Sequence, residues 1–595
     1  MTPYRSREEP RAPRTAPETG LVADMVRQFA DVHAFVRELV QNGIDAGATA
    51  LDVRVERSLD GMASVSVADD GCGMTMEIVE DALLVLFRST KDTDASKIGK
   101  YGVGFMSVFA IEPSEVTVDT HRGGQSLRVR LFPDHTYEIQ HAAPRDRDGT
   151  TVTLWKPLVS DDGAAGRARA PSAPNPAEDF EPFWQRVAAS LHRWCRHAEV
   201  PIQLTVIDGG SRSPPRTARA DSPFDVRAAI SVRQRFDDME IVVGPVAGSG
   251  ALPKSGSLED EPLPFAGFYN RGLTLHEDGI ALRPGLEHVR VKVNSPRLRH
   301  TLSRDDVRRD QAFHVALARA EKLASNELRA AVIRELAKEA EIVGRSGGVD
   351  ATPTAKPNER LANLCEIAAS ELVAATPAEV TVPLAHAIEG AFALPLARVQ
   401  RLLKQALNGG VSCVLATQQR TDLTLALASL GVPVVIVLRT AVRDAIERVV
   451  KGALPVVSVE GECLLVRESL GGERLPGDDA LCARLSEALA PSGIDRVAIG
   501  RLPEGDSRLG AIVRSPAKGA AAHVVLARDA ALTGKWREGS LLVLREDAEP
   551  VIAARRASSA AIGAHLLARY LLLAGPGLSS STSEDLAVRA LSEIP

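Results

Sequence analysis

The sequence predicts a multidomain α/β protein, and three observations carry that expectation. A helix with one polar edge leads into two alternating strands and a glycine-punctuated turn within the first hundred residues. The chain has 595 residues, 45% of them hydrophobic and 25% charged, enough for about three or four separate cores. Late in the chain, the apolar runs Val411–Leu415 and Val434–Leu438 bracket a helical stretch, Leu423–Leu430, as in a βαβ unit with a parallel sheet.

The first helix is predicted over Phe35–Ala46. At the ~100° per residue of a helix, Glu38, Asn42 and Asp45 share a narrow sector beside an apolar stripe of Val32, Phe35, Val36, Leu39 and Val40. A carboxylate and an amide one turn apart, at the rim of a buried face, can hold a hydrated Mg²⁺ and orient a water. A solvated polar face has the same pattern, so the helix alone does not decide. Next come Leu51–Val55 and Ser64–Val67, alternating around a Leu59-Asp60-Gly61 turn and running into Asp69-Asp70-Gly71-Cys72-Gly73-Met74. A carboxylate at a strand end can accept the exocyclic amine of adenine, and the glycines let backbone approach a ring. Alone, this motif is also ordinary turn chemistry.

Further on, Gly99, Gly102 and Gly104 open the apolar run Phe105–Phe109, where free N–H groups at a helix start could cradle phosphates. No stretch fits the GxxxxGK[ST] pattern, which excludes a Walker-type loop. The strand Gly149–Leu154 would place the Thr150 hydroxyl beside the base.

These four elements, in this order, resemble the nucleotide-binding (Bergerat) domain of the gyrase, heat-shock chaperone, histidine kinase and MutL (GHKL) ATPases, an α/β sandwich. The resemblance implies ATP and Mg²⁺ as cofactors. It implies Glu38 as general base, Asn42 as Mg²⁺ ligand and Asp69 as adenine reader. Gly73 and Thr150 would line the base and Met74 would pack against it, Gly99, Gly102 and Gly104 would hold the phosphates, and Asp45, Val103 and Phe105 would be further cofactor-binding residues. The stretch Leu83–Lys97 would be a lid over the nucleotide.

Net charge is −6 with pI about 6.2, a balance that argues against nucleic acid or acidic membranes as partners. The six cysteines have no CxxC or zinc spacing and read as reduced thiols of a cytoplasmic protein. Residues 1–20 lack an apolar core for a signal peptide and are expected to be a disordered tail. The most apolar late stretch, Ala561–Ala574, is too short to span a bilayer.

The nucleotide domain is expected over 21–207, closed by an amphipathic helix with Phe183, Val187, Leu191 and Trp194 on one face and by a strand at Ile202–Val206. A middle domain over 223–470, of two α/β subdomains joined near 340–360, follows. Its run Asn294–Val307 leads into a long helix from Asp305 to about Glu339, with Ser303 as N-cap. This strand–SerPro–LeuSerArgAsp–helix run resembles the middle domain of the ninety-kilodalton heat-shock chaperones, bacterial HtpG among them. That resemblance implies that Arg304 reaches the γ-phosphate of ATP. Residues 480–595 resemble the small α+β dimerisation module of the same chaperones, with Leu566, Leu567, Tyr570, Leu571 and Leu572 facing a partner. Thr301 and Arg308 stand where that family has asparagine and glutamine, and the lid is short.

The expectation is therefore a homodimeric HtpG-like chaperone in which slow ATP hydrolysis drives a clamp on unfolded client proteins. The alternatives are a MutL- or MORC-like ATPase acting on DNA, favoured by the run Glu38–Thr49, and a nucleotide-gated scaffold without useful turnover. A histidine kinase is disfavoured, because no dimerising helix with a phospho-acceptor histidine precedes the core.

Overall fold

The computed structural model describes residues 32–59, 61–84, 104–134, 136–143, 145–158, 180–210, 214–246, 265–279, 284–301, 306–347, 357–406, 413–452, 454–468, 475–502, 505–514, 522–526, 532, 536 and 539–592. The described residues as far as 324 form a first compact unit, apart from 228–230 and 245–246. Those residues, with everything after 324, form a second.

In the first unit, helix α1 (Phe35–Asp45) precedes β1 (Leu51–Arg57) and β2 (Met62–Asp69). Then follow β3 (Glu115–Arg122), β4 (Gln125–Leu131), β5 (Tyr137–His141), β6 (Gly149–Pro157), α2 (Phe180–Cys195), β7 (Ile202–Asp208) and β8 (Arg216–Arg219). The eight strands form one sheet in the order β5-β4-β3-β6-β2-β1-β7-β8. Neighbours are antiparallel except β1 and β7, which run parallel. Alternation explains why these segments are strands. Leu51, Val53 and Val55 of β1 and Ala63, Val65 and Val67 of β2 are buried while the residues between them are not. That apolar face packs against α1, α2 and a 3₁₀ turn at Phe105–Ile111 in one core containing Phe35, Leu39, Phe109, Phe183, Leu191 and Trp194. The result is the two-layer α/β sandwich expected. The apolar run after Gly104 is 3₁₀ rather than α. Its Ser107 bonds back to the Gly104 carbonyl through both N–H (3.1 Å) and hydroxyl (2.6 Å), which tightens the turn.

The first unit continues with a five-stranded sheet. Its strands are β9 (Val232–Phe236), β10 (Met239–Pro245), β11 (Ala266–Asn270), β12 (Leu273–Asp278) and β13 (Val289–Asn294), in the order β12-β11-β13-β10-β9. Helix α3 (Gln311–Leu323) follows, its Phe313 ring 4.9 Å from that of Phe268 on β11. The expected start of this helix near Asp305 is corrected. Asp310 is the N-cap, its carboxylate accepting from the N–H groups of Ala312 (3.1 Å) and Phe313 (3.3 Å). Ser303, the expected cap, lies outside the described residues, as does Arg304.

This sheet is fastened to the end of α2 by a buried polar cluster. Glu277 of β12 takes the Arg196 guanidinium and the Tyr269 hydroxyl (2.6 Å), and the Thr274 hydroxyl donates to the Arg193 carbonyl (2.8 Å). His197 Nδ1 lies 3.1 Å from the Ser222 carbonyl, which can only accept, so Nδ1 carries the proton. Nε2 is then the acceptor for the Lys292 ammonium at 3.1 Å. The ring stands edge-on to Phe224 and Tyr269. Burial, with the Lys292, Arg196 and His192 charges, pushes the His197 imidazole down to about 3, against the Ser222 bond. Below its ordinary 6.5 the unfolded chain gains a proton here that the folded chain refuses. This residue therefore costs stability as pH falls from 6.5 towards 3, by up to about 1.4 kcal/mol per pH unit. His197→Gln keeps an acceptor for Lys292 but does not titrate. Urea unfolding monitored between pH 7 and pH 4 should show a shallower acid loss for this variant than for the natural chain.

In the second unit, the long helix expected as far as Glu339 emerges as α4 (Arg329–Ser346), separated from α3 by a π-helical turn at Ala324–Leu328. Helix α5 (Pro357–Ala368), β14 (Thr381–Ile388), β15 (Ala391–Pro395) and α6 (Leu396–Ala406) come next. Then β16 (Val414–Thr417), α7 (Asp422–Ser429), β17 (Val435–Ile436), α8 (Thr440–Val449) and β18 (Val456–Ser458) complete a sheet ordered β15-β14-β17-β16-β18. β16 is parallel to both β17 and β18, so the βαβ reading holds. Thr421 and Thr424 form a reciprocal capping box at the start of α7.

A fourth sheet contains β19 (Cys463–Glu468), β20 (Ile494–Arg501), β21 (Gly510–Arg514), β22 (Ala522–Leu526) and β23 (Ser540–Arg545), in the order β21-β23-β20-β19-β22. Helices α9 (Asp478–Leu489), α10 (Glu549–Arg555), α11 (Ala560–Ala574) and α12 (Ser580–Ser592) accompany it. Asp478 and Arg555 make a bidentate ion pair with both bonds at 2.8 Å. One expectation is corrected: Leu567, Leu571 and Leu572 are core residues of α11, not partner-facing, whereas Leu566, Tyr570 and Leu573 are exposed. Among the described residues, no helix is long and apolar enough to cross a membrane, and no three His, Cys, Asp or Glu side chains gather as a metal cluster.

Candidate functional site

The site grows from the way α1 lies on the end of β2. Phe35, Val36, Leu39 and Val40 pull one face of α1 into the core, and this burial takes Glu38 with it (6% exposed). Asn42 and Asp45, on the same sector but nearer the helix end, remain exposed. Gly43 sets the approach of helix to strand. A Cβ there would stand 2.7 Å from the Leu51 side chain and 3.1 Å from Cβ of Asp69. A larger residue would push α1, and Asn42 with it, away from Asp69.

Asp69 ends β2, paired with Leu51 on one side and Thr150 on the other. Its Oδ1 accepts the N–H groups of Gly71 (2.9 Å) and Thr150 (3.3 Å). Burial raises its pKa above the ordinary carboxylate value, the two N–H groups oppose that, and the neighbouring Asp70 charge adds to it. Asp70 turns the other way. It accepts from the N–H groups of Thr49 (2.6 Å) and Ala50 (3.0 Å) and from the Thr49 hydroxyl, and these bonds hold its pKa low. The adjacent carboxylates thus differ in role: Asp70 ties the loop to the α1–β1 turn, and Asp69 faces inward.

The glycines follow from close approach. Gly73 has φ +60°, and a Cβ would lie 2.0 Å from the His121 carbonyl oxygen. Gly149, at φ +144°, would place a Cβ 2.3 Å from the Asp69 carbonyl oxygen. Thr120 of β3 joins the parts. It accepts the Met74 N–H at 2.8 Å, and its hydroxyl is 3.1 Å from that of Thr150. The Arg122 guanidinium reaches the Gly73 carbonyl at 3.5 Å.

Of the residues singled out in the sequence, the structure brings Asp69, Gly73, Met74 and Thr150 together at one end of β2, β3 and β6, with α1 alongside. Glu38, Asn42 and Asp45 lie on α1, and Asp45 accepts an ion pair from Arg271 at 2.8 Å. Gly104 and Phe105 begin the 3₁₀ turn. Gly99, Gly102, Val103 and the lid from residue 85 lie outside the described residues. Sequence reasoning missed Gly43 and Thr120. Gly43 stands beside Asn42 in the same helix, and a glycine inside a helical pattern is itself a signal of close packing. Nothing in the sequence marks Thr120, whose role depends on strand register.

Comparison with known proteins places part of this region in a described family. Residues 30–142 match the family described as Histidine kinase-, DNA gyrase B-, and HSP90-like ATPase. The DNA mismatch repair protein MutL of Anaeromyxobacter dehalogenans is 42% identical over 130 residues, 20% of this chain and 20% of that protein. The chaperone protein HtpG of Alkalilimnicola ehrlichii is 28% identical over 209 residues, 30% of this chain and 28% of that one. The mouse mismatch repair endonuclease PMS2 is 34% identical over 125 residues, 20% of this chain and 14% of the enzyme. Each of these alignments thus spans less than a third of the relative's own length. These matches identify residues 30–142 as part of a GHKL-type ATPase domain.

Proposed function

We propose that this chain is a Mg²⁺-dependent ATPase of the HtpG chaperone type, in which ATP binding and slow hydrolysis open and close a clamp on unfolded proteins. The observation that carries the nucleotide reading is the inward carboxylate of Asp69. With Oδ1 held by Gly71 and Thr150, its second oxygen is the natural acceptor for the adenine amine. Gly73, where a Cβ would strike the His121 carbonyl oxygen, keeps the turn after Asp69 packed tightly against β3 and so fixes the wall beside that carboxylate. The donor set also fits Mg²⁺, which keeps several waters and takes few protein oxygens beside those of phosphates. The Asn42 amide would hold it, and it would offset phosphate charge. Glu38, one turn earlier and buried, would polarise the attacking water. Arg304 would approach the γ-phosphate from the middle domain.

Alignment length supports the chaperone reading, since the HtpG match runs for 209 residues against 130 for MutL. Identity supports a second reading, a DNA-directed ATPase, since the MutL match is the more similar at 42%. Steady-state ATP turnover of the full chain, alone, with an unfolded protein and with duplex DNA, tests both. Stimulation by the unfolded protein is expected. Stimulation by DNA alone, with salt-dependent binding, would replace the chaperone by the second reading.

We also propose that the chain is a cytoplasmic homodimer joined through α11 and α12. Leu566, Tyr570 and Leu573 form an i, i+4, i+7 stripe, 51–67% exposed, and Val588 and Leu591 are exposed on α12. Leu566→Asp combined with Leu573→Asp should give a monomer by light scattering and leave the thermal unfolding of the chain's core intact. A dimer that persists would place the interface elsewhere.

A further inference from the structure

The tip of the β11–β12 hairpin breaks a local rule. Asn270 pairs with Leu273, so Arg271 and Gly272 alone make the turn. Both have positive φ, 49° and 76°, as a two-residue turn matched to strand twist requires. At Gly272 there is no alternative, because a Cβ would lie 1.7 Å from the His197 carbonyl oxygen. At position 271, glycine or asparagine adopts this backbone at less cost than arginine. A strained residue kept against local preference points to use of its side chain.

That side chain crosses to the nucleotide-domain helix. Arg271 Nη1 donates to Asp45 Oδ1 at 2.8 Å. Asp45 is the last residue of α1, nearly one turn beyond Asn42, at a helix end where positive charge is favoured. Both partners are about half exposed, so the pair adds little to stability. Behind the tip the hairpin is held firmly by the Glu277–Arg196 ion pair and the Thr274–Arg193 bond. The arrangement is a rigid arm ending in a weak, reversible hold on one helix.

We infer that Arg271 is a positioning residue, through which the second sheet sets the carboxyl-terminal turn of α1 and hence the placing of Asn42 against Asp69. The inference rests on the nucleotide reading of that site. Coupling is reciprocal, so nucleotide that displaces this turn also alters its hold on the hairpin.

The test uses the full chain with Arg271→Asn and Arg271→Lys. Asparagine suits the turn and removes the guanidinium, so a merely structural role predicts unchanged or greater thermal stability and nothing more. The positioning role predicts faster hydrogen exchange at Ala46, Gly47 and Ala48, whose N–H groups bond to Asn42, Ile44 and Gly43. The expected change is about fivefold without nucleotide. It also predicts ATP turnover lowered about threefold or more at little change in KM, with Arg271→Lys restoring at least half. Unchanged exchange in Arg271→Asn overturns the inference, as does lysine behaving no better than asparagine. If the natural chain binds no nucleotide, the nucleotide reading falls, and the exchange measurement still decides whether Arg271 sets α1.

Discussion

Glu38→Ala should retain nucleotide affinity within about twofold and lower ATP turnover by ~10²–10⁴, the usual weight of a positioned general base. The reason is its place on α1. Four apolar neighbours draw this turn of the helix into the core, and the carboxylate is carried in with them rather than solvated. A group so held adds its value when the attacking water must lose a proton, and less to the bound ground state. Equilibrium titration with a fluorescent nucleotide and a phosphate-release assay separate the two quantities. Normal turnover with intact binding would assign the base elsewhere, and loss of both would make Glu38 part of the binding surface.

Asp69→Asn should weaken nucleotide binding by ~10- to 100-fold or more, the loss of a charge-assisted bond, while leaving the unliganded fold as stable or more so. Oδ1 of Asp69 is committed to the N–H groups of Gly71 and Thr150. An asparagine placed there must use its oxygen for those donors, which turns its NH₂ outward against the adenine amine, donor facing donor. The sign of the stability effect follows from the raised pKa of Asp69. A carboxyl raised by burial favours the fold when protonated, and that contribution is lost as pH rises through its folded pKa. At pH 7 the ionised group therefore works against the unliganded fold, and the neutral amide removes that penalty. Thermal melts with and without ATP decide the matter. A variant that melts lower without ATP would contradict the burial argument, and one that binds normally would move the adenine reader.

The architecture was legible wherever side-chain period matched burial. Alternation at Leu51–Val55 and Ser64–Val67 and the stripe Phe183, Val187, Leu191, Trp194 mark surfaces that face one core, and each element appears where expected. Boundaries that depend on caps were less legible. The helix expected from Asp305 begins at Gln311, because Asp310 has the extended backbone of a cap and its carboxylate accepts the Ala312 and Phe313 N–H groups. The apolar run of α11 could not be divided from sequence. Nearly all its residues are apolar, so the buried Leu567, Leu571 and Leu572 look the same as the exposed Leu566, Tyr570 and Leu573 until neighbours are placed.

The candidate site divides in the same way. Spacing alone was enough to put Glu38, Asn42 and Asp45 on one helix sector and Asp69 at a strand end, because helix and strand periods are local geometry. Which of the adjacent carboxylates faces inward depends on Thr49 and Ala50 claiming Asp70, some twenty residues away in the chain. Thr120 entered only through the register of β3 against β6, which places its hydroxyl beside that of Thr150 and within reach of Met74. The Arg271–Asp45 link joins residues 226 positions apart, and no local pattern in either segment contains it. Residue types and their periods are set by short-range sterics and burial and can be read along the chain; the partners of each polar group are settled only when distant segments meet, since a hydrogen bond depends on position to within tenths of an ångström.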